Sequence, residues 1–166
     1  VPVRGAAPAR RVMQARAPIP ILRLFDEAAA RAFYVDFLGF RVDWEHRFEA
    51  DLPLYMQLTL GDCVLHLSGH HGDATPGAHV RVPCSGLREF QQALLAKAYR
   101  HARPGVEAQP WGLDMTVSDP FGNRLTFTEA TPSASRLQHT LSEIGAAAAA
   151  QGLTPDGLND LLVDEC

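Results

Sequence analysis

Between Ile19 and Ala130 the apolar and polar positions fall into two patterns, each used twice and in the same order. The first begins with an apolar run, Ile19 to Phe25 (IPILRLF), ending at Asp26, a side chain suited to capping a helix start. The following EAAARAFYVDFLGF is rich in helix formers and sets Ala29, Phe33 and Phe37 at helical spacing, with Gly39 as the expected stop. From Phe40 to Phe48 the period changes to two. Phe40, Val42, Trp44, His46 and Phe48 are expected on one face of a strand, and Arg41, Asp43, Glu45 and Arg47 on the other. LPLYMQLTL and CVLHLS, joined at Gly61-Asp62, predict a hairpin. The order is therefore β-α-β-β-β.

The stretch from Gly69 to Gly77 (GHHGDATPG) has the composition of a loop, and after it the order returns. His79 to Pro83 predicts a short strand, Leu87 to Ala98 an amphipathic helix, and the neighbourhood of Val106 a further strand. Leu113 to Val117 and Arg124 to Thr128 predict two strands around the turn Asp119-Pro120-Phe121-Gly122-Asn123. The fold class expected is α+β. Paired β-α-β-β-β modules (18–68 and 78–130) form a curved mixed sheet with a concave cleft and helices outside. Residues 1–17 are expected to be an extended or disordered segment, with Met13 a candidate natural start. Residues 131–166 are expected to form a helical tail: Ser133 to Ala150, then a second short helix from Thr154-Pro155 through Leu162.

Composition narrows the function classes. Of 166 residues, 46% are apolar and 20% charged, as in a soluble globular protein, and the net charge of −4 gives nucleic acid no basic footprint. No apolar run approaches the roughly 18 residues that a membrane span needs. Three cysteines without CxxC spacing fit a cytoplasmic setting, with Cys63 and Cys84 as inert thiols in strands. Ser68, Ser85 and Ser118 lack a His/Asp constellation, and no glycine-rich phosphate loop is present.

Two stretches carry a resemblance. Ile21-Leu-Arg-Leu-Phe-Asp26 followed by Ala32-Phe-Tyr-Val-Asp-Phe-Leu-Gly-Phe40 resembles the first strand and helix of the vicinal oxygen chelate superfamily, which includes glyoxalase I, extradiol dioxygenases and bleomycin resistance proteins. Gln109-Pro-Trp-Gly112 with Asp119-Pro-Phe-Gly-Asn123 resembles the bleomycin-resistance branch most. The resemblance implies that the cleft is completed by a second copy in a homodimer, with Trp111 at its rim. It also implies four metal-ligand positions, which fall here on Ile19, His66, His79 and Thr126. Two of these carry imidazole and none a carboxylate, so no cofactor is expected, with His66 and His79 as the candidate ligands for a metal.

By alternation, Val64, His66, Ser68, His79, Arg81, Arg124 and Thr126 share the cleft-facing side, with Tyr55, Gln57 and Thr59 as cross-strand neighbours. Trp44, Tyr55 and Trp111 are candidates for stacking on a planar ligand. Arg81 and Arg124 either attract an anionic ligand or pair with Asp114 or Glu129. The function expected is metal-independent binding of an antibiotic-like small molecule by sequestration, a form of antibiotic resistance. The alternative is a glyoxalase-like metal-dependent lyase or dioxygenase. The tail pattern from Ser142 to Leu162 resembles short C-terminal helices of bacterial antitoxin-like proteins, beside the simpler expectation that it packs on the dimer.

Overall fold

The computed structural model describes residues 13–150; the expected helix from Thr154 to Leu162, and Cys166, lie outside them. The β-α-β-β-β order occurs twice. The first unit comprises β1 (Ile21–Arg23), α1 (Glu27–Ala30, continued by a π-wound segment Arg31–Phe37), β2 (Arg41–His46), β3 (Tyr55–Leu60) and β4 (Cys63–Ser68). The second comprises β5 (His79–Pro83), α2 (Leu87–Ala96), β6 (Glu107–Gln109), β7 (Gly112–Ser118) and β8 (Arg124–Ala130). They form two four-stranded mixed sheets, ordered β1-β4-β3-β2 and β5-β8-β7-β6. In each, the strand before the helix pairs in parallel with the last strand of the unit, Ile21 opposite His66 and Arg81 opposite Thr126. This is an α+β fold.

Local chemistry sets the element ends. Asp26 caps α1 as its spacing predicts, its carboxylate accepting from Ala29 N–H at 2.6 Å. Gly39, at φ +85°, ends the helix. The buried stripe of this helix is Ala30, Phe33, Tyr34, Phe37 and Leu38, wider than the expected Ala29, Phe33 and Phe37. The start of α2 is capped from elsewhere. Gly86 has no side chain to offer, and Glu129 on β8 accepts from Gly86 N–H (2.8 Å) and Leu87 N–H (3.2 Å).

Strand β2 departs from strict alternation. Arg41 lies opposite Thr59 and Val42 opposite Leu58, but Trp44 lies opposite Gln57, so one extra residue, Asp43, is accommodated as a bulge. Phe40 and Val42 therefore pack into the core, while Trp44 and His46 turn to the other face; the single apolar face expected from Phe40 to Phe48 is split.

One contiguous core joins the halves: Leu22, Phe33, Phe37, Met56, Leu58, Leu65 and Leu67 from the first, Leu87, Met115, Val117, Leu125 and Phe127 from the second. Its polar tie is the Asp119–Asn123 turn. Asp119 is buried and accepts from Tyr34 O–H (2.8 Å), Phe121 N–H (2.9 Å), Asn123 N–H (2.7 Å) and Asn123 Nδ2–H (2.7 Å). Asn123 Nδ2 also donates to the Arg23 carbonyl on β1 at 2.8 Å. Burial, and then the adjacent Asp119 carboxylate, push the Tyr34 phenol far above its usual range, so it stays a donor. The expected turn is thus also the joint between the repeats. After β8, α3 (Pro132–Ala150) extends with Leu141 and Ile144 exposed.

Candidate functional site

The nine expected binding residues are gathered into two groups, one on each sheet. On the first sheet, Trp44 stacks on Tyr55 (5.9 Å between ring centres, 11° between planes) and meets His66 edge-on at 5.3 Å. His66 is held at both ring nitrogens, by Tyr55 Oη at Nδ1 (2.8 Å) and by Gln57 Oε1 at Nε2 (3.0 Å). The neutral tautomer that fits carries its hydrogen on Nε2 and accepts the tyrosine proton at Nδ1. Burial lowers the His66 pKa, which favours that neutral form.

The bulge adds a residue that alternation had assigned to the opposite face. Asp43 accepts from Gln57 Nε2 (2.9 Å), from the Thr59 hydroxyl, and from Arg41 Nε and Nη2 (3.0 and 2.8 Å). These bonds, Thr59's first, take its carboxyl down to about 2. An aspartate one residue before an aromatic in an otherwise alternating strand was the only sequence hint. Ser68, expected to face a cleft, is fully buried and donates to Asp73 at 2.6 Å.

On the second sheet, His79 Nε2, Thr126 Oγ1 and Thr116 Oγ1 form a chain with two links of 2.7 Å. Arg81 Nη1 lies 3.0 and 2.9 Å from the two Asp114 oxygens and 2.6 Å from Thr128 Oγ1, and its guanidinium sits 5.7 Å from the Trp111 ring centre. Trp111 Nε1 donates to the same carboxylate at 3.3 Å. Desolvation opposes ionisation of Asp114, but hydrogen bonds from Thr128, Arg81 and Trp111 outweigh it and hold the carboxyl below its usual range. Of the two expectations for Arg81, pairing with Asp114 is the one observed. Glu129 is committed to the α2 cap, and Arg124 has no side-chain partner among the described residues.

Trp111 is presented by a glycine. Gly112 has φ +151°, and a Cβ there would lie 2.0 Å from the Glu129 carbonyl oxygen, so β7 and β8 approach too closely for any other residue. Trp44 and Trp111 are 42% and 46% exposed, large apolar surface standing free on each group.

Among the described residues, no hydrogen bond, ion pair or ring contact joins the two groups. A cavity of about 1120 Å³ lies elsewhere: Leu60, Leu65, Val82, Leu87, Phe90 and Phe127 give its apolar walls, and Arg81 alone of the nine residues reaches it. Cys63 and Cys84 also line it as free, half-buried thiols whose pKa values burial raises.

The four positions implied for a metal can be tested by their chemistry. Ile19 has no donor atom and is exposed ahead of β1, Thr126 offers a hydroxyl already shared with His79 and Thr116, and both nitrogens of His66 are engaged. Two imidazoles on two sheets fall short of the three protein ligands that a catalytic divalent site uses. No group of three or more His, Cys, Asp or Glu stands together among the described residues. The donor set does not fit such an ion.

Because burial depresses the folded His66 pKa, this residue contributes stability above the ordinary histidine value of about 6.5 and loses it as pH falls through the folded value. Thermal melts from pH 8 to 5 should therefore fall more steeply for wild type than for His66→Gln. Parallel profiles would show that the ring does not titrate in this way.

Two β-α-β-β-β units, each closing its own mixed sheet, have the architecture of the vicinal oxygen chelate class of proteins. Residues 9–133 match the family described as glyoxalase superfamily protein, and the chain belongs to that superfamily. Among solved structures it is similar to a bleomycin-binding protein from bleomycin-producing Streptomyces verticillus, complexed with copper(II)-bleomycin (23% identity, 72% of this chain and 100% of that one, TM-score 0.56). It is also similar to TnmS3, an antibiotic binding protein from Streptomyces sp. CB03234 (19%, 72% and 100%, TM-score 0.55). A third is a glyoxylase/bleomycin resistance protein/dioxygenase domain from Frankia sp. EAN1pec (14%, 72% and 100%, TM-score 0.56). At these identities the likeness is one of fold. No protein of curated function matches the chain. No helix among the described residues is long and apolar enough to cross a membrane.

Proposed function

We propose that this protein binds a planar, antibiotic-like small molecule without a metal and protects by sequestration rather than turnover. The observation that carries the reading is the pair of half-exposed tryptophans, each mounted on a prearranged polar face: Trp44 on Tyr55 and His66, Trp111 on Arg81 and Asp114. Aromatic side chains held by their neighbours offer stacking area at little further cost in conformational freedom. Fold relatives that bind bleomycin or other antibiotics lend it support.

Each chain carries two separate half-sites, which supports a homodimer in which the first face of one copy meets the second face of the other. The setting proposed is the cytoplasm.

Titrating Trp44→Phe protein, in which Trp111 is the only remaining tryptophan, with bleomycin-type antibiotics and other planar compounds should quench its fluorescence. Trp111→Ala should weaken binding by up to about tenfold, the size of one aromatic pair. Absence of both quenching and thermal shift across the panel would rule out the antibiotic version. A stoichiometric divalent ion in protein prepared without chelator, lost in His79→Ala, would overturn metal independence.

A further inference from the structure

Most arginines on and around the two faces have a carboxylate partner. Arg41 is paired with Asp43 on the first face, and Arg81 with Asp114 on the second. Arg31 and Arg47 are taken up by Glu45 and Glu27, and Glu129 by the α2 backbone. Arg124 is exposed, and its side chain makes no hydrogen bond or ion pair among the described residues.

Its place in the sheet is defined by register. On β8, Arg124 lies between Ser118 of β7 and His79 of β5, and the next row on the same face is Thr116, Thr126 and Arg81. Two residues of strand separate these rows, about 7 Å at 3.3–3.4 Å per residue. Trp111 stands over the row after that, its N–H donating to Asp114 and its ring 5.7 Å from the Arg81 guanidinium, which reaches to Asp114 and Thr128. The exposed carboxylate on this face, Glu107, lies in that same row, opposite Asp114 on the edge strand. An unpaired guanidinium, flanked in register by a hydroxyl and an imidazole, therefore shares a face with an exposed indole held two rows away.

We propose that the ligand of this face is an aromatic acid, its rings stacked on Trp111 and its anionic group received by Arg124. The proposal rests on the small-molecule reading above and names the ligand class. A guanidinium receives a carboxylate, sulfonate or phosphate through two parallel N–H donors, which a cationic or neutral compound of the same shape cannot accept. The neutralised Arg81 serves a different end, holding the indole in place beneath the ring.

Calorimetric titration with 2-naphthoate, 2-naphthamide and 2-naphthylmethylammonium tests this, since the three share one ring system and differ in charge. Wild type should prefer the acid over the amide by about tenfold, the scale of one charge-assisted hydrogen bond at a partly exposed site, and bind the ammonium compound most weakly. The acid's advantage should shrink in 0.5 M salt. In Arg124→Gln the acid-to-amide ratio should collapse toward one, and Arg124→Lys should recover part of it; unchanged thermal melts would establish that both variants are folded. Equal binding of acid and amide by wild type, or a preference that survives in Arg124→Gln, overturns the proposal and leaves small-molecule binding standing. Failure of all three compounds to bind removes both.

Discussion

Asp119→Ala is expected to destabilise the protein by about 3–5 kcal/mol, the scale for removing one partner from a buried charged network. The carboxylate receives four donors, two of them backbone N–H groups inside its own turn, one the Asn123 amide and one the Tyr34 phenol from the other half of the chain. Alanine removes every acceptor at once, and the buried Tyr34 hydroxyl is left without its carboxylate partner. Tyr34→Phe should cost far less, about 1 kcal/mol, because Asp119 keeps its other three donors. Chemical denaturation of both single variants and the double variant measures the coupling. A loss in Asp119→Ala no larger than in Tyr34→Phe would show that the turn carries no special weight.

Gly112→Ala should be comparably severe, above about 4 kcal/mol, for a steric reason. The added methyl would lie 2.0 Å from the Glu129 carbonyl oxygen and 2.9 Å from Ala130 Cα, both backbone atoms that no rotamer change can move. Relief requires the paired ends of β7 and β8 to part, where Gly112 faces Ala130 and Thr131 N–H donates to the Trp111 carbonyl. Trp111 would lose its placement with them. Denaturation midpoints and near-ultraviolet circular dichroism read the two consequences; a stable variant with native tryptophan signal would show that the strands can separate at little cost.

Much of the fold was legible because its determinants are local. Asp26 caps the helix it precedes, Gly39 ends it, and Gly61-Asp62 turns a hairpin, each visible in a handful of adjacent residues. The repeated element order was legible for the same reason. What escaped depends on partners distant in sequence. Nothing beside Asp119 points to Tyr34, and nothing near Gly86 announces that Glu129 supplies its cap. The nine candidate residues could be named from the sequence, yet alternation assigns a face and not a neighbour. Their division between two sheets, and the cancellation of Arg81 by Asp114, needed the register. Asp43 was misplaced because alternation assumes equal strand lengths, and β2 has one residue more than its partner over the paired span.

That extra residue has a bearing on how this family diversifies. Deleting Asp43 would set Val42 and Trp44 as consecutive residues opposite Leu58 and Gln57, so Trp44 and His46 would keep the Tyr55 side while the carboxylate that receives Arg41, Gln57 and Thr59 is lost. A one-codon change in length would thus keep the aromatic half of this surface and remove its anion. Ungapped comparison of relatives across this strand would equate side chains that lie on opposite sides of the sheet, so matching tryptophans in two sequences need not report the same recognition surface.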